Sequence, residues 1–588
     1  MQVKNRHLNS VWNIRKFSPS EAAFCRQLSE TLHISEVGAG LLVARGITTE
    51  QEARSFIRPC EQPLHDPFLM RDMDVAEKRL TGAIENGEKI LIYGDYDVDG
   101  TTAVALVWRF LHSFYSNILF YIPDRYTEGY GISFKGIDYA KSEGCSLIIA
   151  LDCGIKSVDK VRYAADRGID FIICDHHKPG EELPEAVGVL NPHRNDCDYP
   201  YTDLSGCGVG FKLMQAYSIR HGMSFDESLR PLLPLLAMSI ASDIVPMTGE
   251  NRTLAALGLK QMRVTRMAGL CALMATSKTE QSNISISDLV YRFGPRVNAC
   301  GRLYSGAEAV RLLITDDSDK AATLAKSVDE HNKERQGLDK SIFTEALAML
   351  EQDSSDETKS STVVYSPQWH KGVVGIVASR LIEQRYRPTI VLTRDEATGL
   401  ISGSARSVSD FDIYTAIDSC RDLLTNFGGH DFAAGLSMLP EHLEEFKRRF
   451  EAYVETHVEP HHKQPVINID AELTLADITP QFEKIVRSLE PYGPCNPRPM
   501  FVTRGVINYR YTRRVGKDGS HLHLNVTDRS VFADGSLAVF DGIAFGRGET
   551  ALHLQNGNSA DICYMLEQHS FNNRTTAQLR VEDIRTTP

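Results

Sequence analysis

The sequence predicts an α/β fold in several parts: a parallel-sheet domain, an associated αβ domain joined to it by a long helix, and a C-terminal β-barrel of the OB type. Three observations predict it. From Lys89 onward, short continuous apolar runs alternate with amphipathic stretches, the pattern of a parallel sheet covered by helices on both faces. The segment from about Asp317 to Gln352 carries apolar residues at helical spacing and no proline. Residues 465–588 hold short alternating strands separated by turn residues, which suits a small barrel. A chain of 588 residues has room for about three to five domains at roughly 100–200 residues each.

The elements follow in order. Residues 1–64 read as an N-terminal helical extension, and 65–315 as the parallel-sheet domain. Within it KILIYGD (89–95), NILFYIPD (117–124), SLIIALD (146–152), DFIICD (170–175) and AVGVLNP (186–192) read as buried strands. Helices are expected around 101–115, 135–143 and 157–167, and further ones around 208–222 and 230–242. In such sheets ligands bind beyond the carboxyl ends of the strands, and four of these strands end on or just before an acid: Asp95, Asp124, Asp152 and Asp175. The long helix, 316–352, places Leu324, Ala325, Val328, Leu338, Ile342, Ala346 and Met349 on its apolar side, with Gly337 as its one internal breaker. EQDSSDETKSST (351–362) reads as a polar linker. A second αβ domain covers 362–455, THVEPHHKQP (456–465) is a second linker, and the barrel covers 465–588.

Composition excludes some functions. Lys plus Arg number 64 against 77 Asp plus Glu, a net charge of −13, so a globally basic protein that coats nucleic acid is ruled out. A local basic channel on an acidic protein is not. No stretch approaches the ~20 apolar residues of a membrane helix, and the longest apolar segment, around Leu232 to Ala241, is broken by Pro234. The start, MQVKNRHLNSVWNIRKF, lacks the apolar core of a signal peptide, so a cytoplasmic protein is expected. Twelve cysteines without a CxxC pair exclude a zinc ribbon and point to reduced thiols.

The chemistry is carried by acids and histidines at strand ends. Asp95-Tyr96-Asp97-Val98-Asp99-Gly100 has the D-x-D-x-D-G spacing of half an EF-hand, but position twelve is Leu106 and a strand precedes the loop, so calcium does not fit. Three acids in five residues repel one another unless a cation compensates. Asp152 follows in ALDCG, then Asp175, His176 and His177 in DHHKPG, and Asp243 in SDIVP. This mixed oxygen and nitrogen set suits Mn²⁺ or Mg²⁺ better than zinc. It can hold two divalent cations about 3.5–4 Å apart, the usual device for in-line attack on a phosphoester. His461-His462, the same dipeptide in a polar linker, reads as solvated.

DYDVDG, ALDCG, DHHKPG and SDIVP, in this order, resemble the DHH phosphoesterase superfamily, and within it the RecJ family of single-strand-specific exonucleases. Further segments carry the resemblance: IPDRYTEGYG (122–131), LNPHRNDCDYPYTDLSGCGVGFKL (190–213), FGPRVNACGRL (293–303), HNKERQ (331–336), WHKGVVGIVASRL (369–381), SGSARS (402–407) and NFGGHDFAAG (426–435). The resemblance covers about residues 65–550. One departure is Cys495 in GPCNP, where the family more often has Gly.

The resemblance implies a DHH domain, a DHH-associated domain and an OB-type domain. It implies a 5′-to-3′ exonuclease in DNA repair and recombination that releases 5′-mononucleotides from single-stranded DNA with two divalent cations, Mn²⁺ or Mg²⁺. The implied metal set is Asp95, Asp97, Asp99, Asp152, Asp175, His176, His177 and Asp243, with Asp152 as the bridge. Asp95 and Asp175 are either ligands or residues that orient them. His176 either faces the scissile phosphate as proton donor or is a further ligand. Arg302 would pair with the phosphate being cleaved, and Arg125, between Asp124 and Glu128, would touch the backbone further along. Gln336 and His370 would lie near substrate. Ser404, Arg406, Gly428, Gly429 and His430, the glycines in a tight turn, would hold the 5′-terminal phosphate. In the barrel, Tyr509 to Lys517 alternates aromatic and basic residues as if on one strand, and Tyr511, Arg513 and Arg514 would stack bases and hold phosphates. The two αβ domains would form a cleft or ring that admits one strand. Single-strand-binding protein and a RecQ-type helicase are further implied partners, and the implied state is a monomer. Two other readings compete: a DHH phosphodiesterase of oligoribonucleotides or cyclic dinucleotides, and a non-catalytic scaffold on the same fold. The barrel weighs against the first and the complete ligand set against the second.

Overall fold

A computed structural model describes residues 10–353, 356–396, 398–571 and 574–586. The chain divides into two compact units, one made of Thr49–Glu334 with Ser488–Arg498, the other of the remaining residues.

The first unit is built on a five-stranded parallel sheet. Its strands are β1 (Lys89–Gly94), β2 (Ile118–Tyr121), β3 (Cys145–Leu151), β4 (Asp170–Cys174) and β5 (Gly188–Leu190), in the order β2-β1-β3-β4-β5. The central strands are runs of β-branched and apolar residues buried on both faces, while the edge strand β2 is half-buried; Ile90 and Ile92 enter one core, Leu91 and Tyr93 the other. Helix α1 (Val98–His112) follows β1, and α2 (Gly206–Arg220) and α3 (Leu233–Ser242) pack near it. Helices α4 (Gly294–Leu303) and α5 (Gly306–Ile314) then lead to α6, a 35-residue helix over Ser318–Gln352. Gly337 is tolerated there with nothing near the place a Cβ would occupy. This strand order reverses direction between β1 and β3, and such a switch point opens a crevice at the carboxyl ends of the strands. Asp95 and Asp152 follow those two strands.

In the second unit, β6 (Thr362–Tyr365), α7 (Val374–Gln384), β7 (Thr389–Arg394), β8 (Ile401–Arg406), β9 (Leu424–His430) and β10 (Ala433–Met438) form a mixed sheet of order β9-β10-β8-β7-β6. Residues 501–508, 521–527, 540–544, 560–571 and 574–586 pair in a closed ring of five strands, the topology expected of an OB barrel.

Several expectations change. The N-terminal residues are not all helical: Val11–Ile14 is a strand paired in parallel with Val466–Ile469, because Trp12 packs on the barrel and donates to Asp583 at 2.8 Å. The first linker is not simply solvated, since Asp356 is buried and accepts from Arg385 and Arg387; Ser354 and Ser355 lie outside the described residues. His462 is buried against Phe411, and its Nδ1 accepts from the Glu459 amide at 2.9 Å, so the control pair is solvated only at His461. The aromatic and basic stripe is not one strand. Residues 509–512 form a loop before the strand Arg513–Val515. Cys495 has φ 61°, the left-handed region that disfavours a side chain by about 1–2 kcal/mol, which is why a glycine suits that position. All twelve cysteines are free thiols, and among the described residues no helix is long and apolar enough to cross a membrane.

Candidate metal centre and phosphate cradle

The centre begins where β1 turns into α1. Asp97 caps α1, its side chain accepting from the Gly100 amide at 3.1 Å. Gly100 lies so close to Asp95 that a Cβ would come within 2.5 Å of the Asp95 nitrogen. The loop is clasped from behind by α4: Asn298 accepts from the Val98 amide at 3.2 Å, and Gly301 packs on the Tyr96 carbonyl. Asp99 points to the N-terminus of α2, where its oxygens accept from Gly206 N at 2.6 Å, Cys207 N at 2.9 Å and Ser239 Oγ at 2.6 Å. A helix N-terminus presents unpaired amides and a positive dipole end, so it stabilises this buried carboxylate. With about four lone-pair sites on a carboxylate, Asp99 keeps one for another partner.

Asp152 leaves β3 with φ 60°, a strained conformation that turns its side chain into the crevice. His176 and His177 leave β4. The Nε2 of His176 sits 3.3 Å from Asp152 Oδ1, 3.5 Å from Asp243 Oδ2 and 3.9 Å from Asp99 Oδ2. Asp175 is used differently. Its Oδ1 accepts from His176 N at 2.8 Å, His177 N at 3.1 Å and His177 Nδ1 at 2.7 Å, and its Oδ2 from Ile155 N at 2.9 Å.

The electrostatics follow from burial. Burial, then the charge of Asp97, pushes Asp95 well above the usual carboxylate range. Burial followed by Asp99 raises Asp97. Asp152 is raised by burial and by Asp99, Asp97 and Asp243, and Asp243 by burial, Asp99 and Asp97. Burial holds His176 below its ordinary value. It works against charge on His177 too, but the bond to Asp175 overrides it and His177 is raised. For Asp175 the balance reverses: burial opposes the carboxylate, yet His177 and the backbone amides leave it lowered.

Divalent cations fit this set. Asp95 Oδ2, Asp152 Oδ1, His176 Nε2 and Asp243 Oδ2 are all shielded from water and without a hydrogen-bond partner among the described residues. Two overlapping groups, Asp152 with His176 and His177, and Asp99 with His176 and Asp243, bring ligand atoms within 4.8 Å of one another. Buried polar atoms are costly when left unpaired, and a cation would satisfy them together.

The sequence model of the DHH family N-terminal domain matches residues 89–240, that of the DHHA1 domain 359–456 and that of the RecJ OB domain 469–583. Over 558 residues the chain is 36% identical to the single-stranded-DNA-specific exonuclease RecJ of Bacillus subtilis (strain 168), covering 95% of this chain and 69% of that protein. The chain belongs to the RecJ family. Crystal structures of RecJ from Thermus thermophilus in complex with Mn²⁺ and with Mg²⁺ superpose with TM-scores of 0.82 and 0.77, at 26% and 25% identity. Each covers 98% of this chain, which spans 80% and 79% of theirs.

The other residues singled out by the RecJ resemblance fall in separate places. Arg125 lies over the Tyr96 ring at 5.0 Å. Its flanking acids serve the loop: Asp124 accepts from Tyr126 N and Thr127 N, and Glu128 from Tyr121 Oη and Asp124 N. Arg302 is half-buried near the end of α4, its carbonyl accepting from Tyr126 Oη. Gln336 is exposed on α6, and His370 Nδ1 accepts from Gly372 N at 3.1 Å.

In the second unit, Gly428, Gly429 and His430 end strand β9 instead of forming a turn; the turn is Asp431-Phe432. Strand register aligns Gly428, Gly435 and Ser404 in one row and His430, Ala433 and Arg406 in the next. Successive rows two residues apart share a face, so small residues floor a cradle walled by Ser404, Arg406 and His430. Gly375, in the first turn of α7, lies over it: a Cβ there would be 3.0 Å from both Arg406 Nη2 and Ser404 Oγ. Burial holds Arg406 below its ordinary value, and among the described residues its guanidinium donates to Ser404 Oγ at 2.7 Å and to its neighbour's carbonyl. In the barrel, Tyr511 and Arg513 are exposed, while Arg514 Nε donates to Gly548 O at 2.9 Å.

Sequence reasoning missed four residues that shape these sites. The Tyr130 hydroxyl donates to Asp152 O at 2.9 Å and lies 3.2 Å from His177 Nε2. Asn191 donates to His177 O at 2.8 Å. Asn298 and Gly375 act as described above. Each lies inside a segment that the sequence marked, but nothing in the residue type announced a role.

Proposed function

We propose that this chain is a metal-dependent exonuclease that degrades single-stranded DNA from the 5′ end and releases 5′-mononucleotides. The observation that carries this is the set of four buried, unpartnered atoms on Asp95, Asp152, His176 and Asp243 at the switch point of the parallel sheet. Two divalent cations, Mn²⁺ or Mg²⁺, bound there would lower the pKa of water and neutralise charge on the phosphate. The chain's residues then divide their work. Asp95, Asp97, Asp99, Asp152, His176, His177 and Asp243 hold cations, with Asp152 between the two ligand groups. The contacts of His176 with three carboxylates support it as a ligand. Asp175, whose acceptors are occupied, fixes the His177 ring through Nδ1 and so sets the direction in which its Nε2, 3.2 Å from the Tyr130 hydroxyl, points. Arg302 and Arg125 hold the phosphates, with Gln336 and His370 close to substrate. The face formed by Ser404, Gly428, Arg406 and His430, with the Gly429 backbone between them, receives the 5′-phosphate under the start of α7, since a helix start and a half-buried guanidinium favour an anion. Tyr511, Arg513 and Arg514 stack and steer the strand.

The domain division that fits this reading is an extension over 1–64, the DHH domain over 65–315, the connecting helix over 316–352, the DHH-associated domain over 362–455 and the OB domain over 465–588. In this reading the protein works in the cytoplasm as a monomer, with a RecQ-type helicase to expose its substrate and single-strand-binding protein to present it. The test is digestion, with Mn²⁺, of 5′-phosphorylated single strands, 5′-blocked single strands, duplex and RNA. Rapid loss of the phosphorylated single strand alone is expected; duplex digested as fast as single strand would refute the proposal. Asp152→Ala is expected to abolish digestion and keep single-strand binding, and retained digestion would overturn the ligand assignment.

A further inference from the structure

A second cluster of ligating side chains lies on the helices behind the centre. Cys300 of α4, Glu308 of α5 and His331 of α6 bring a sulfur, an oxygen and a nitrogen within 4.8 Å of one another. Cys300 is fully buried. Glu308 Oε2 and His331 Nδ1 face each other at 3.5 Å, and both atoms are shielded from water with no hydrogen-bond partner among the described residues. The imidazole is fixed in place, because Tyr304 stacks on it at 3.8 Å and is itself tied to Glu334 by a hydrogen bond of 2.6 Å. The three ligands come from three helices, which is why no CxxC spacing marks them in the sequence.

We propose that Cys300, Glu308 and His331 form a site for a thiophilic divalent cation of the Zn²⁺ class, distinct from the oxygen-rich centre. The donor set decides the class of ion. Thiolate and imidazole select zinc, whereas carboxylate and water suit Mn²⁺ and Mg²⁺. Tetrahedral ligand bonds of about 2.0–2.3 Å put ligand atoms about 3.3–3.7 Å apart, a separation that Glu308 Oε2 and His331 Nδ1 already have, with water in the fourth position. Binding replaces the thiol proton: the Cys300 S–H releases H⁺ to solvent as the sulfur–metal bond forms. The site bears on function through α4. Cys300 lies one residue from Gly301, which packs on Tyr96, and two from Asn298, which holds the Val98 amide. A bound ion would therefore pin α4 against α5 and α6 and steady the loop that carries Asp95, Asp97 and Asp99.

Cobalt distinguishes the two sites, because only a cysteine ligand gives a sulfur-to-cobalt charge-transfer band. The full chain, preloaded with Mn²⁺ and titrated with Co²⁺ under reducing conditions, is expected to develop that band, saturate at one equivalent and lose it when Zn²⁺ is added. Cys300→Ser is expected to remove the band while the variant stays folded by circular dichroism. His331→Ala is expected to weaken cobalt binding at least about ten-fold. Absence of the band in the unaltered protein, or its persistence in Cys300→Ser, would overturn the proposal and leave Glu308 and His331 as a long ion pair beside a buried thiol.

Discussion

Replacing Gly206 by alanine perturbs the centre while every candidate ligand residue is kept. Gly206 opens α2 and faces Asp152: a Cβ at this position would lie 2.5 Å from Asp152 Cβ, 2.6 Å from its Oδ1 and 2.7 Å from its Cα. Ordinary contact begins at 3.4 Å, so the pair must separate by about 0.9 Å, the difference between 3.4 and 2.5. No flexible side-chain end absorbs this. Asp152 is held at the end of β3 with φ 60°, and the Gly206 amide is bonded to Asp99 at 2.6 Å, so either Asp152 or Asp99 moves. A misplacement near 1 Å can cost about 10²-fold in rate, and overpacking costs about 1–3 kcal/mol of stability. The assay is kcat for Mn²⁺-dependent digestion of a 5′-phosphorylated single strand, with a urea unfolding curve on the same sample. We expect kcat to fall about 100-fold, with KM for DNA little changed. Gly208→Ala is the control, since its Cβ would meet only Leu204 and Ser205 at 3.4 Å or more; it should retain activity. Wild-type kcat in Gly206→Ala, or an equal loss in Gly208→Ala, would refute the reasoning.

Three further outcomes are expected. Tyr130→Phe removes the hydroxyl bonded to Asp152 O; at about 1 kcal/mol for such a bond, kcat/KM should drop roughly five-fold, and an unchanged value would show that the hydroxyl positions nothing. Arg406→Ala should reduce the preference for 5′-phosphate over 5′-hydroxyl ends by about 10- to 100-fold, the worth of a charged hydrogen bond; an unaltered ratio of kcat/KM would place the phosphate elsewhere. Asp95, Asp152 and Asp243 are raised by burial and then by neighbouring carboxylates, so in the cation-free protein each binds its proton more tightly than a free carboxyl and gives it up at higher pH. Cation affinity should therefore increase with pH. Calorimetric titration with Mn²⁺ in buffers of different ionisation enthalpy should show proton release; none would contradict the assignment.

The parallel sheet was legible because its strands are buried on both faces, so each is a continuous apolar run that no helix period disguises. KILIYGD and SLIIALD are examples, and the acids that end them mark the ligand edge directly. The mixed sheet of the second unit was half legible. TIVLT (389–393) is a plain β-branched run, but β8, β9 and β10 contain SGSAR, NFGGH and AAGLSM, whose small residues look like loop. They are strands because neighbouring backbones pair across them, a long-range fact that local propensity does not carry. The same blindness hid how the residues proposed for the 5′-phosphate come together, which depends on strand register and on Gly375 overhead. His462 was misread for a similar reason: its burial comes from Phe411, fifty-one positions away in the sequence.

Six aspartates in one crevice pose a folding problem that the structure answers by unequal treatment. Asp97 caps α1 and Asp99 is bound by the start of α2, so two helix N-termini each stabilise one carboxylate before any cation arrives. Asp175 takes four donors, among them a histidine. These three are held in position by the fold itself. Asp95, Asp152 and Asp243 are the ones with unpartnered oxygens and strongly raised proton affinity, so the unfavourable charge is concentrated on groups that can stay protonated until a cation displaces the proton. The fold thus supplies the rigidity from one half of the acid set and the affinity from the other. A net charge of −13 is then no obstacle to an enzyme of DNA, because bound cations would neutralise part of that charge in the crevice, while Arg406 is kept half-buried without a carboxylate partner among the described residues for the phosphate it is proposed to meet.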